Sequence, residues 1–362
     1  MKKFGILALF GVLTTGANGQ FANGTIAVVS FDGGATAPVN TGMRVVLKDF
    51  STTGALLNSI TTDTYISGTA TSEGALNYSD DGSHMLWIGG YQTPSTSGAI
   101  GSSTVSRRVQ GYDVTGTTMG TATDFINTSL YTANNMRSAV VVNGNLVTAG
   151  TSATTGGTRL GTGFIAGTAP STTIYSGAVT NTREAQVWGS NMYWSTASGT
   201  TSIFTSPLAA SAPSDIVGIH PTGTWSPYDF TFTNDGTSDV MYVADDGATS
   251  VNGGLLKFVR NGGTFDFAYR ITVAGTIGLS GTAAGTRGLG VVNGKIYATT
   301  DTGKNILEIT DGGTAALSTV SVIATAGANE SFRGLEVVPE PASLAILGVG
   351  IVGLVARRRW NK

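Results

Sequence analysis

Cysteine is absent from this 362-residue chain, and charged residues are scarce. Lys, Arg, Asp and Glu make up 12% of the sequence, about half the usual share, and there are only two histidines, His84 and His220. Without cysteine the chain has no disulfide, no thiol nucleophile and no cysteine-ligated metal. A net charge of −2 gives no basic surface for nucleic acid. A folded domain must therefore depend on its apolar core and hydrogen bonds.

The residues that are abundant point to an all-β fold. Hydrophobic residues reach 41%, and 52 glycines accompany many Thr and Ser residues. The apolar residues recur in short alternating runs between turn residues, a pattern typical of half-buried strands rather than of a disordered chain.

One unit is repeated along the chain. Segments 287–300, 137–149 and 183–196 align with one another, and looser copies cover 74–90 and 228–244. Each predicts two short strands joined by a tight turn. Asn143-Gly144 and Asn293-Gly294 favour a type I′ turn, which needs positive φ at both central residues. Further strands are predicted after each hairpin, for example at 44–50, 107–113 and 306–310, with fourth strands at 265–273 and 317–324.

This repeat predicts a six-bladed β-propeller. The second strands of the units begin near positions 26, 85, 145, 191, 240 and 295, which gives six units of four strands. The first unit lacks a first strand, whereas 333–338 is a spare copy of 287–292. We therefore expect this C-terminal strand to pair into the first unit and close the ring, which removes exposed edges. An open sandwich and a β-solenoid are the alternatives.

The N-terminus has the pattern of a signal peptide. Met1-Lys2-Lys3 is followed by apolar residues 4–13 and then by small residues. Cleavage is possible after Ala17 or Gly19, and we prefer Gly19. The predicted organisation is a signal peptide at 1–19, a propeller domain at 20–338 and a sorting signal at 339–362.

The last 25 residues form a three-part tail. Pro339-Glu340-Pro341 comes first, an uncharged apolar segment over 344–356 follows, and Arg357, Arg358 and Arg359 come next. Thirteen residues of helix span roughly 20 Å against roughly 30 Å of hydrocarbon, so the segment is short for a permanent anchor. The three arginines should stay cytoplasmic. The alternative is a short C-terminal core helix.

This tail resembles the PEP-CTERM sorting signal of bacterial surface proteins, which exosortase enzymes recognise. The resemblance covers only the C-terminus, through Pro339, Glu340, Pro341 and the three arginines. It implies an exosortase as partner, a transient precursor in the inner membrane, and cleavage of the tail. It further implies a location at the cell surface or outside the cell, in association with extracellular polysaccharide or biofilm.

Four arginines recur at one position of the repeat. Arg137, Arg183, Arg287 and Arg333 each stand just before a predicted first strand. If first strands are innermost, these side chains ring one mouth of the central channel. The interpretation we prefer is architectural, with each arginine paired to a carboxylate that fixes its blade. The alternative is a binding site for anions or acidic glycans through bidentate contacts.

The remaining polar and aromatic candidates favour structural roles. His84 and His220 fit partly buried positions better than a catalytic site, and no catalytic or metal-binding motif occurs. Carboxylates beside glycine at strand ends are typical of turns, and Ca²⁺ binding by them is the weaker alternative; these are Asp80, Asp81, Asp245, Asp246, Asp301 and Asp311. Aromatic residues that pack between blades, or else stack on sugars, are Trp87, Trp188, Trp194, Trp225 and Tyr193.

Together these observations favour a non-catalytic surface or matrix protein without a cofactor. The alternative is a carbohydrate-active enzyme on a propeller, such as a lyase or lactonase, which would need His, Asp or Glu side chains converging at one mouth.

Overall fold

The computed structural model describes residues 21–339 except 80, 115–122, 128–129, 153–155, 164–170, 175–178, 197–198, 210–211, 248–252 and 282. The predicted signal peptide and the apolar segment 344–356 lie outside these residues. Within them the regular structure is all-β apart from one short 3₁₀ turn, Ile100–Ser102. No described helix is long and apolar enough to cross a membrane.

The first half of the described chain contains strands β1 to β11. They are β1 (Ile26–Asp32), β2 (Met43–Phe50), β3 (Leu56–Ile66), β4 (Leu76–Tyr78), β5 (Met85–Tyr91), β6 (Arg107–Asp113), β7 (Thr123–Asn127), β8 (Met136–Val142), β9 (Asn145–Gly150), β10 (Thr158–Thr162) and β11 (Ser171–Ile174).

The second half contains strands β12 to β25. They are β12 (Thr182–Trp188), β13 (Asn191–Thr196), β14 (Ile203–Pro207), β15 (Ser214–Asp215), β16 (Val217–Ile219), β17 (Pro227–Asn234), β18 (Asp239–Asp245), β19 (Gly254–Asn261), β20 (Thr264–Ile271), β21 (Thr286–Val292), β22 (Lys295–Thr300), β23 (Asn305–Thr310), β24 (Thr319–Thr325) and β25 (Glu330–Val337).

These strands form a propeller-like series of antiparallel sheets. Strands β8 to β11, β12 to β15 and β21 to β24 each make a four-stranded sheet in sequence order. Strands β17 to β20 make another, and β16, which the repeat did not predict, adds to it in parallel with β20. Observed second strands begin at Ile26, Met85, Asn145, Asn191, Asp239 and Lys295, within one residue of the predicted positions.

The first two predicted units are not separate sheets. Strands β25, β1, β2 and β3 and strands β4 to β7 lie in one eight-stranded sheet. The two halves are joined through a single residue pair, Tyr65 with Tyr91. The pairing pattern therefore shows an all-β, propeller-like arrangement without establishing six separate blades.

The C-terminal strand pairs with the first strand, as the repeat predicts. Val337 lies opposite Ile26 and Glu330 opposite Asp32 in an antiparallel ladder. Hydrogen bonds between Val338 and the segment 24–25 continue the pairing by one residue. β25 also packs closely against β4 on its other side. A Cβ atom added to Gly334 would lie only 2.3 Å from the backbone nitrogen of Leu76.

Turn chemistry explains the sharpest hairpins. Asn143 and Gly144 have φ of 50° and 72°, and Asn293 and Gly294 have 51° and 72°. These values confirm the predicted Asn-Gly turns, since positive φ at both positions is what a type I′ turn requires.

The hydrophobic core lies between neighbouring sheets. One cluster joins Trp87 and Val109 of the eight-stranded sheet to Val140 and Leu146 of the next sheet and to Trp194 of the one after. One strand of each four-strand set contacts its counterparts around a common centre; these inner strands are β4, β8, β12, β17, β21 and β25. The polar residues at that centre form the candidate site.

Candidate functional site

Three of the four predicted arginines meet at one end of the inner strands. Arg183 on β12, Arg287 on β21 and Arg333 on β25 line a cavity of about 20 Å³ together with Tyr228 and Glu73. Arg137 on β8 is close enough to interact electrostatically with Arg183 and Tyr228. A cavity of this size holds about one water molecule. We call these four arginines, with Tyr228, the arginine mouth.

Two of the arginines share a carboxylate and an aromatic ring. Asp246 accepts a hydrogen bond from Arg287 Nη2 at 3.0 Å and lies 3.8 Å from Arg183 Nη1. Both guanidinium groups lie over the ring of Tyr228, at 4.0 Å for Arg183 and 4.8 Å for Arg287. Each of these side chains therefore bridges neighbouring sheets through Asp246 or Tyr228, at a distance where cation–π attraction is effective.

The other two arginines bind backbone carbonyls instead of carboxylates. Arg137 Nη1 donates to Thr182 O at 3.0 Å, and Arg333 Nη2 donates to Gly68 O at 3.1 Å, above the ring of Phe31. Burial and the nearby positive charge of Arg287 lower the pKa of Arg333 to about 10. Among the described residues neither arginine forms an ion pair, so pairing to an Asp or Glu is not the shared role that the repeat suggested.

A common feature of all four arginines is an unused donor. The Nε–H groups of Arg137, Arg183, Arg287 and Arg333 are buried without a hydrogen-bond partner among the described residues. The mouth therefore has hydrogen-bonding capacity for an anion or a water, but its space admits only a molecule of about that size. The proposed anion or glycan site at these arginines stays a prediction.

Carboxylates that the motif search did not single out lie further along the inner strands. Ser138 Oγ and Ala185 N donate to Glu184 Oε1 at 2.5 and 3.1 Å. Asp229 accepts hydrogen bonds at 2.8 Å from Gln186 Nε2 and from the backbone of Leu289. The sequence signal that could have identified this group is the two-residue period of a strand, which places residues 184 and 186 of β12 on the same face of the sheet.

Burial shifts the proton affinity of these groups upward. It raises the pKa of Glu184 to about 7 and that of Glu336 to about 8. Burial, with the charges of Glu184 and Glu336 as further causes, raises the pKa of Asp229 well above its usual value. These residues therefore form a buried, proton-binding cluster, which we call the channel carboxylates.

The histidines lie apart from this cluster. His84 Nδ1 is 2.7 Å from Tyr78 Oη, at an exposed turn with positive φ. His220 Nε2 is 3.5 Å from one carboxylate, that of Asp215, and its ring packs against Trp225. Neither histidine stands beside two carboxylates in the described structure.

Four of the six predicted turn aspartates accept hydrogen bonds from the backbone. Carboxylates that accept backbone N–H hydrogen bonds are those of Asp81, Asp245, Asp301 and Asp311. Asp246 pairs with arginines, and Asp80 lies outside the described residues. Within those residues no three His, Cys, Asp or Glu side chains are arranged to hold a metal ion.

The tryptophans divide into two groups. Trp87, Trp194 and Trp225 are buried in the cores between sheets, in agreement with the packing interpretation. Trp188 and Tyr193 are half-buried and line a cleft of about 440 Å³ between the sheet of β12 to β15 and the sheet of β16 to β20. The sequence could not separate Trp188 from the buried Trp87 and Trp194, because all three occur in strand-like runs.

Of the predicted sorting residues the structure describes only the first. Pro339 is exposed and follows β25 after one residue. Glu340, Pro341, Arg357, Arg358 and Arg359 lie outside the described residues.

Comparison with known proteins supports the reading of the tail and of the fold. A family profile for the PEP-CTERM protein-sorting motif matches residues 337–359. No curated protein sequence matches the chain. A chain of the nidogen/laminin complex superposes with a TM-score of 0.52 at 10% identity, covering 86% of this chain and 98% of its own length.

Two further solved structures superpose with TM-scores below 0.5. A protein provisionally assigned as a 6-phosphogluconolactonase from Bacteroides fragilis has a TM-score of 0.46 at 13% identity, with 82% of this chain and 80% of that chain covered. AztD from Citrobacter koseri has a TM-score of 0.39 at 10% identity, covering 86% and 97%. At these identities likeness concerns the fold alone. The chain thus carries the PEP-CTERM protein-sorting motif of exosortase substrates, joined to an all-β, propeller-like body.

Proposed function

We propose that the chain is an exported, exosortase-sorted protein of the cell surface or extracellular matrix that acts by binding rather than by catalysis. Its body, residues 20–338, is displayed as a six-bladed propeller closed by β25, after loss of a signal peptide at 1–19. Extracellular polysaccharide is its partner in this location, and the precursor passes through the inner membrane.

The observation that carries this proposal is the junction at Val337. The sorting motif begins at residue 337, which is also the last residue of β25. No linker separates the displayed domain from the signal, so processing releases or re-anchors the body as a unit. β25, whose last residue is the first residue of the motif, is paired with β1 in an antiparallel ladder.

The test is processing of the tail in a host that contains the matching exosortase. Replacing Arg357, Arg358 and Arg359 with Ala should leave unprocessed precursor in the membrane fraction, because the positive charges no longer hold the tail on the cytoplasmic side. The wild-type body should reach the surface or medium without its tail and should co-purify with secreted polysaccharide. A wild-type surface form that retains the tail would contradict the sorting proposal.

A carbohydrate-active enzyme is the second candidate, and the channel carboxylates favour it. Carboxyl groups with pKa near 7 are suited to general acid catalysis, and strongly shifted groups concentrate at active sites. The test is incubation of the full chain with oligouronates and sugar lactones. Product formed by the wild type and lost in Glu184→Gln would favour the enzyme over the binding protein.

A further inference from the structure

The cleft between the third and fourth sheets along the chain, β12 to β15 and β16 to β20, has an aromatic floor. The ring of Phe232 lies 4.4 Å from that of Trp188 and 5.1 Å from that of Tyr193, centroid to centroid. Trp188 and Asn191 pair across a hairpin, and Tyr193 follows Asn191 by two residues, so the three share one face of the sheet. All of these side chains are half-buried and therefore reachable from solvent.

The rim of the same cleft is polar and neutral in sum. Asp239 Oδ2 lies 3.3 Å from Arg260 Nη1, and each side chain is 54% exposed. The Tyr193 hydroxyl and the Asn191 amide belong to the same lining, together with Thr205. Rings below and polar groups above are thus held within one space of about 440 Å³. That volume falls in the roughly 300–1,000 Å³ range of small-molecule sites.

We infer that this aromatic cleft binds neutral sugar residues of a polysaccharide. A pyranose has an apolar C–H face that packs on an aromatic ring and hydroxyls at its edge that need polar partners, which matches the floor and the rim of the cleft. This inference rests on the proposed polysaccharide association and gives it a site and a ligand class.

Charge selects the ligand class. Arg260 is already neutralised by Asp239, so a uronate or a phosphate would gain no free positive charge and would meet the Asp239 carboxylate. A neutral sugar instead uses both members of the pair, accepting from Arg260 and donating to Asp239. The arginine mouth, with about 20 Å³ of space, has no room for a sugar residue.

Tryptophan fluorescence provides a direct readout at the cleft. Trp87, Trp194 and Trp225 are at most 7% exposed, so among the described tryptophans acrylamide should quench mainly Trp188. Titrating the full chain with cellotetraose, maltotetraose and chitotetraose should protect the quenchable fraction. Trp188→Phe should abolish the ligand-dependent protection.

Variants of the rim test the charge argument. Asp239→Asn and Arg260→Ala should each raise the dissociation constant for the sugar about tenfold or more, since each removes charge-assisted hydrogen bonds to the sugar. Arg44→Ala is the matched control, because the Arg44–Asp63 pair is similarly exposed and lies on another sheet. Both rim residues are surface-exposed, so the variants should fold, and unchanged thermal unfolding would verify this.

Three results would overturn the inference. They are a lack of protection by all three neutral oligosaccharides, protection that persists in Trp188→Phe, and stronger protection by oligogalacturonate than by neutral sugars. If any of them occurs while the wild-type chain still binds secreted polysaccharide and its tail is processed, the cleft assignment fails and the proposed function stands. If the chain binds no polysaccharide at all, the proposed association fails with it.

Discussion

Replacing Arg287 with Ala separates the two interpretations of the arginine mouth. Arg287 forms the shorter of the two arginine contacts with Asp246. It donates to Asp246 and to the carbonyl of Thr71, each at 3.0 Å, and lies over the ring of Tyr228. Its side chain is 16% exposed and that of Asp246 is 14% exposed. The substitution removes contacts between three parts of the chain that are distant in sequence.

The expected loss follows from these contacts. A hydrogen bond to a charged group contributes about 1.5–3 kcal/mol. Breaking a fully buried ion pair costs about 3–5 kcal/mol, but Asp246 keeps Arg183 at 3.8 Å and so is not left without a counter-charge. We therefore expect Arg287→Ala to lower the free energy of unfolding by about 2–4 kcal/mol. At roughly 2 °C per kcal/mol, the melting temperature should fall by about 4 °C or more.

Thermal unfolding followed by circular dichroism is the assay, with Arg44→Ala as the control. The Arg44–Asp63 pair is 49% and 64% exposed, so its loss should cost under about 1 kcal/mol. Binding of oligogalacturonate is measured on the same samples. If Arg287→Ala melts like the control, the architectural reasoning is wrong. If it also loses binding of the acidic oligosaccharide, the arginine mouth is a binding site.

Three further predictions concern the inner strands. Raising the pH from about 5 to about 8.5 should lower the melting temperature, because the pKa values of Glu184 and Glu336 lie above 4.5 in the folded state, which loses stability as these side chains ionise. Glu336→Gln should make the melting temperature less dependent on pH, and a wild-type melting temperature that does not change with pH would contradict the prediction. Deleting 333–338 should destabilise and aggregate the chain, whereas deleting 339–362 should not, and equal melting of the two truncations would refute closure by β25. Gly334→Ala should lower the free energy of unfolding by about 1–3 kcal/mol, because its Cβ would lie 2.3 Å from a backbone atom. Gly263→Ala is the control and should be nearly neutral, because the space around Gly263 is open. Equal midpoints of urea unfolding for the two variants would show that the inner strands are not closely packed.

Much of the fold could be predicted because its determinants are local. The Asn143-Gly144 and Asn293-Gly294 turns fix their hairpins through backbone sterics, and the alternating residues on either side set the strand register. The pairing of β25 with β1 was predictable for another reason: a spare copy of a first strand at one end matches a missing one at the other. The PEP-CTERM motif was readable because its spacing lies within one continuous segment.

The features that escaped prediction depend on the distance between sheets. Arg137 binds the carbonyl of Thr182, the first residue of β12, and Arg333 binds the carbonyl of Gly68, which follows β3; no residue type marks a backbone oxygen in the sequence. The single pairing of Tyr65 with Tyr91 joins two repeats that look independent in sequence. Exposure of Trp188 depends in the same way on how far the third and fourth sheets along the chain stand apart.

The direct junction between β25 and the sorting motif has a mechanical consequence. Any pull applied beyond Pro339 reaches β25 without a slack linker to absorb it, and passes into the ladder between β25 and β1. The residue pairs nearest Val337 and Ile26 bear the load first, and rupture there would peel away the strand that completes the first sheet. Tension on the tail therefore acts on the same contacts that the folding stability of the body depends on.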